Sequence, residues 1–101
     1  LSPKTVQLIT TNHIGDLPMG FGRTGAGFGL DFGVVLDPGA VGEVSSAGEY
    51  NWGGAAGTRF WIDPQEKMIG LFMVQSIPHR TRLAGDFKVL AYQAMTESYA
   101  D

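Results

Sequence analysis

The chain has no cysteine. That excludes disulfides, thiolate zinc sites and a cysteine nucleophile, and says little about compartment. Charge is also scarce, at 17% of residues against a typical ~25%. Seven Lys and Arg face ten Asp and Glu, for a net charge of −3. A nucleic-acid binder carries a basic excess, so none is expected as a partner. No apolar run reaches the ~18 residues of a membrane span, so no membrane partner is expected either. Histidine is limited to His13 and His79. Neither has a carboxylate or second histidine at ligand spacing, so each reads as a solvated or core histidine, and no metal or cofactor is expected. There is no G-x-S-x-G elbow and no S-x-x-K motif. The N-terminus has no signal-peptide pattern. It also has no initiator Met, so the natural start is expected upstream.

What remains is 101 residues, enough for one small domain. A chain of this length buries about 60–65% of its unfolded surface. Glycine is the excess, at 15 residues, about twice the usual ~7%. The glycines punctuate apolar segments, which points to close backbone contacts in a sheet. Ser2 followed by Pro3 is a helix start, and Val6, Ile9 and His13 recur at helical spacing, predicting a helix over 3–13. Residues 15–27 read as loop. They contain a literal G-x-G-x-x-G from Gly20 to Gly25, but a Pro-bearing loop precedes it and a strand pattern follows. The dinucleotide fingerprint needs the reverse.

Phe28, Leu30, Phe32 and Val34 alternate with small residues, predicting one strand over 28–36. Asp37-Pro38-Gly39 is a turn, and residues 40–48 a small, polar loop. Arg59–Ile62 and Met68–Gln75 flank the turn Asp63–Glu66, predicting an antiparallel hairpin. After Pro78, residues Leu83, Phe87, Leu90, Ala91, Ala94 and Met95 share one helical face, predicting a helix over 80–98.

Most polar residues have an ordinary reading. Asp63 and Glu66 suit a turn, and Thr58 and Tyr50 suit a sheet. The run Trp52-Gly53-Gly54-Ala55-Ala56-Gly57 stands apart. Glycines at a strand start leave backbone N–H groups uncovered, able to meet an extended ligand or a developing oxyanion. The alternative is a β-bulge with close packing, and spacing alone favours it.

From Glu49 to Pro64 the sequence resembles the C-terminal motif region of the serine β-lactamase-related hydrolases, most of all the group of class C β-lactamases and β-lactamase-like carboxylesterases. The resemblance extends over nearly the whole chain: Leu1–Val6, Gly27–Val34, Ile69–Gln75 and Phe87–Met95 are similar to the family's late helix, glycine-aromatic strand, next strand and final helix. It implies acyl transfer in three parts. A Ser and Lys on one helix supply the nucleophile, a Tyr motif relays protons, and a third motif lines the pocket. Only the third is present, at Trp52, Gly53 and Gly54. The resemblance makes the Ala55 N–H an oxyanion donor, a group whose loss costs about 3–4 kcal/mol in kcat.

Trp52 and Gly53 stand where many β-lactamases carry Lys and Thr. The resemblance therefore implies a small ester or amide substrate and esterase-like chemistry. Ser2 and Lys4 are two apart, not three, so the chain alone should form no acyl-enzyme.

The expectation is thus an α+β fold, a single partial domain over 1–101. A three-stranded antiparallel sheet would carry the N- and C-terminal helices on one face, as a fragment of the β-lactamase/transpeptidase-like fold. Its expected partners are a missing N-terminal part of the hydrolase or a second copy joined through sheet edges. The competing expectation is an oligomeric module that binds a peptide or small molecule, or serves only structure, without catalysis.

Overall fold

The computed structural model describes residues 1–20, 22–78 and 81–100. Helix α1 covers Pro3–Ile9. The strands are β1 (Ala26–Phe28), β2 (Gly33–Val35), β3 (Tyr50–Gly53), β4 (Arg59–Asp63) and β5 (Met68–Phe72). Helix α2 (Pro38–Val41) lies between β2 and β3, and α3 (Leu83–Gln93) follows β5. All strand pairings are antiparallel and join sequence neighbours, in the order β1-β2-β3-β4-β5.

This corrects the expected three-stranded sheet with two helices: among the described residues there are five strands and three short helices. The predicted strand over 28–36 is a hairpin instead. The chain reverses where the Gly29 N–H donates to Phe32 O at 2.8 Å, with Asp31 in the left-handed region at φ 83°. Two short strands across a tight turn preserve the alternation that imitated one long strand. The fifth strand, β3, carries part of the glycine-bearing run. Its Tyr50 pairs with Val34 and its Asn51 with Gly33, closing β2 onto the sheet.

Local chemistry sets the helices. Ser2 Oγ accepts from Thr5 N–H at 3.1 Å, and Pro3 opens α1. The helix stops at Ile9, short of the predicted 13, where the Thr10 and Thr11 hydroxyls donate back to Val6 O and Gln7 O. Asp37 caps α2 through Gly39 N–H and Ala40 N–H, and Gly42 ends it at φ 78°. The loop expected over 40–48 therefore begins with the end of a helix. Helix α3 is shorter than the predicted 80–98, and residues 79 and 80 lie outside the described set.

The register defines two sheet faces. Asn51, Trp61 and Gly70 share the inner one; Val34, Tyr50, Ile62 and Ile69 share the outer one. Helix α3 packs on the inner face, where Phe87 meets the Trp61 and Phe72 rings at 5.8 Å. Gly70 is needed there, because a Cβ would enter the Trp61 indole. The chain leaving α1 joins β1 through His13 N–H to Phe28 O and Leu30 N–H to Ile9 O. Asn12 sits over Gly27, which register places on the outer face. The two terminal helices thus do not share a face as expected. Val34, Val35 and Trp61 are the buried apolar residues, while Ile69, Leu71 and Met73 of the outer face are exposed.

Candidate functional site

The run singled out in the sequence forms the β3–β4 hairpin. Gly54 N–H donates to Thr58 O at 2.9 Å, and Gly57 N–H to Gly54 O at 3.0 Å. Gly57 has φ 94°, the left-handed residue that follows a type I turn in a bulged hairpin loop. This is the bulge favoured on spacing. It also leaves Ala55 outside the ladder, at the turn. Among the described residues, the Ala55 N–H meets no backbone acceptor. Ser76 N–H donates to Ala56 O at 3.0 Å, tying the chain beyond β5 to the same turn.

Trp52 is 38% exposed and meets the Phe28 ring edge-on at 5.5 Å. It stands between two clefts. One, of about 350 Å³, is lined by Trp52, Gly53, Gly54, Phe60 and Leu71. The other, of about 400 Å³, has Arg23, Thr24, Glu43, Trp52, Gly53 and Arg59 among its lining residues. A Cβ at Gly54 would lie 2.6 Å from Thr58 Oγ1, so the hydroxyl would have to turn aside. The four residues 52–55 therefore sit together at one end of the sheet. Thr58 is half-buried, and Tyr50 is half-buried with its ring edge-on to Phe32 at 5.2 Å.

A second assembly, invisible in the sequence, lies between the inner sheet face and α3. Lys88 is 1% exposed, and its Nζ donates to Glu49 Oε1 at 2.8 Å and Glu43 Oε2 at 3.3 Å. Arg59 donates to Glu43 Oε2 at 2.7 Å, and Asn51 Nδ2 to Glu49 Oε1 at 3.1 Å. The Lys88 ammonium also lies 5.4 Å from the centre of the Trp61 ring. Burial pushes the Glu49 carboxyl above its ordinary range, beyond what the Lys88 and Asn51 bonds recover. Burial acts the same way on Glu43. There the Arg59 hydrogen bond and charge, with those of Lys88, outweigh it and hold the carboxyl below the usual range.

Beside this network, Asp63 Oδ2 accepts from Ser46 Oγ at 2.7 Å and Tyr92 OH at 2.6 Å. Asp63 Oδ1 accepts from Glu66 N–H at 3.1 Å, so Asp63 holds the turn the sequence assigned it and also anchors α3. Burial, then the bond to Asp63, pushes the Tyr92 phenol well above its ordinary range.

The predicted apolar stripe of α3 left Lys88 outside it. The helix buries the side that runs through Ala84, Lys88, Ala91 and Met95, and leaves Leu83 and Leu90 exposed. The predicted stripe is thus rotated away from the sheet by about one residue. Among the described residues, no group of His, Asp and Glu is arranged to hold a metal. His13 is exposed, with Nε2 2.7 Å from Leu8 O. His79 lies outside the described residues. Ser2 and Lys4 serve α1: Ser2 as its cap, Lys4 by donating to Gln7 at 3.2 Å.

No family model matches the chain. Two curated proteins are similar to it: the uncharacterized protein MT1414 and the protein Rv1367c, from two strains of Mycobacterium tuberculosis. Each is 33% identical over 90 residues, covering 77% of this chain and 22% of the relative. The chain spans about a fifth of the length of the curated relatives it matches.

Proposed function

We propose that residues 52–55 form the third-motif wall of a serine hydrolase of the β-lactamase-related group, with esterase-type acyl transfer. The observation that carries this reading is the Ala55 N–H. It lies beyond the β3 ladder and among the described residues meets no backbone acceptor, and Trp52, Gly53 and Gly54 just before it line a cleft. An N–H so placed stabilises a developing oxyanion without reorganising first. Trp52 offers an uncharged wall to an acyl or ester group. The serine, its lysine and the tyrosine belong to another part of the complete protein. The reading agrees with a chain that spans a fifth of its curated relatives.

A fluorophosphonate probe tests the reading. The chain alone stays unlabelled, and a longer polypeptide containing it is labelled at a serine. In that polypeptide, Ala55→Pro removes the N–H and lowers kcat by about 10²–10³, with a smaller effect on KM. Labelling of the chain alone, or an unchanged kcat, rejects the proposal.

A non-catalytic reading draws on the exposed outer face of Ile69, Leu71 and Met73. In that reading the chain is an oligomeric binding or structural module.

A further inference from the structure

The cleft of about 400 Å³ on the far side of Trp52 has a charge imbalance. Arg59 is paired with Glu43, which lines the same cleft, and Lys88 beneath it with Glu43 and Glu49. Arg23 adds a third cation at the cleft wall, and among the described residues no carboxylate pairs with it. The cleft thus carries a surplus of one positive charge on a chain whose net charge is −3.

Arg23 is also placed by a built loop. Its N–H donates to Gly20 O at 3.1 Å, and the neighbouring Thr24 hydroxyl donates to Ala40 O at 3.0 Å. Gly25, at φ 74°, lets this loop press on α2: a Cβ there would lie 2.7 Å from Ala40 Cβ and Asp37 O. Leu36 N–H and Asp37 N–H both donate to Gly25 O. Arg23 is half-buried and lines the cleft with Arg59 and Trp52.

We propose that this cleft binds a small organic monoanion, an aromatic carboxylate. Its carboxylate head meets Arg23 and the outer part of the Arg59 guanidinium, and its ring lies against Trp52. A guanidinium fork matches a carboxylate in shape and charge. One surplus charge suits a monoanion better than a phosphate dianion, and the indole wall gives an apolar body something to cover. The inference rests on the geometry of the cleft and stands whether or not the chain serves a serine hydrolase.

Nuclear magnetic resonance titration of the isotope-labelled chain with benzoate at low salt tests it. Benzoate gives saturable, one-to-one shifts at the Trp52 indole N–H and the Gly53 amide. Its neutral counterpart benzamide gives none, and inorganic phosphate binds at least tenfold more weakly. Arg23→Gln, on a loop outside the core, weakens benzoate binding at least tenfold and leaves the remaining amide spectrum in place. Lys4→Gln, on α1, changes nothing. Absence of a saturable benzoate shift overturns the proposal. So does equal binding of benzamide or phosphate, or unchanged affinity in Arg23→Gln.

Discussion

Lys88 concentrates the energetics of the inner face in one side chain. A charge removed from water costs several kcal/mol unless it is paired and hydrogen-bonded. Here the ammonium has two carboxylates and an aromatic face. Glu49 is less well served, because its Oε2 is buried without a hydrogen-bond partner among the described residues. The two carboxylates therefore respond to pH in opposite senses. Glu43 is held below its ordinary 4.5, so its contribution to stability is present above that pH and fades as pH falls through the lower folded value. Glu49 is raised above 4.5, so the folded state takes up its proton more readily, and its contribution is lost as pH rises through the raised value. Urea denaturation across the acid range checks the signs. The stability of the native chain minus that of Glu43→Gln should grow with rising pH; the same difference for Glu49→Gln should shrink. Slopes of one sign would contradict the assignment.

At the scale of the element, hairpin loops decide the sheet. The β3–β4 turn depends on Gly57 at φ 94°. Gly57→Ala forces a side chain into that conformation and should cost about 1–3 kcal/mol, read as a lower urea midpoint with unchanged slope. Other parts were legible beforehand: the strands β4 and β5, their turn, the Ser2–Pro3 helix start and the terminal helix all follow from residue patterns. The β1–β2 hairpin was not. Residues 29–32 turn on the left-handed Asp31, and the two central residues, Leu30 and Asp31, are neither glycine nor proline. Tyr50–Gly53 was hidden in a different way, because a strand of four residues beside a glycine run lacks the length to show alternation. The orientation of α3 was missed because apolar content located the stripe, whereas the ion pair to Glu49 fixed the rotation. The candidate site was legible only as a run of residues: its bulge followed from spacing, but Arg23 reaches the cleft from a distant loop.

The two sheet faces of the whole molecule are covered unequally. Its inner face is covered by α3, and its outer face leaves Ile69, Leu71 and Met73 largely open. With β5 at one end of the sheet and β1 at the other, where the chain leaving α1 caps it, the β5 edge accompanies that open apolar surface. A second copy would cover both, and we expect light scattering to give a mass above one chain at high concentration. Leu71→Lys, on the exposed face, should restore the single-chain mass without loss of helix or sheet by circular dichroism. A monomer at every concentration would reject self-association.

Because the strands pair only with their neighbours in the chain, the sheet can zip up from one hairpin to the next with short loop closures. Such local connectivity favours rapid folding. The bond between Lys88 and Glu49 spans 39 residues, so docking of the final helix is the distant step that seals a ribbon already assembled.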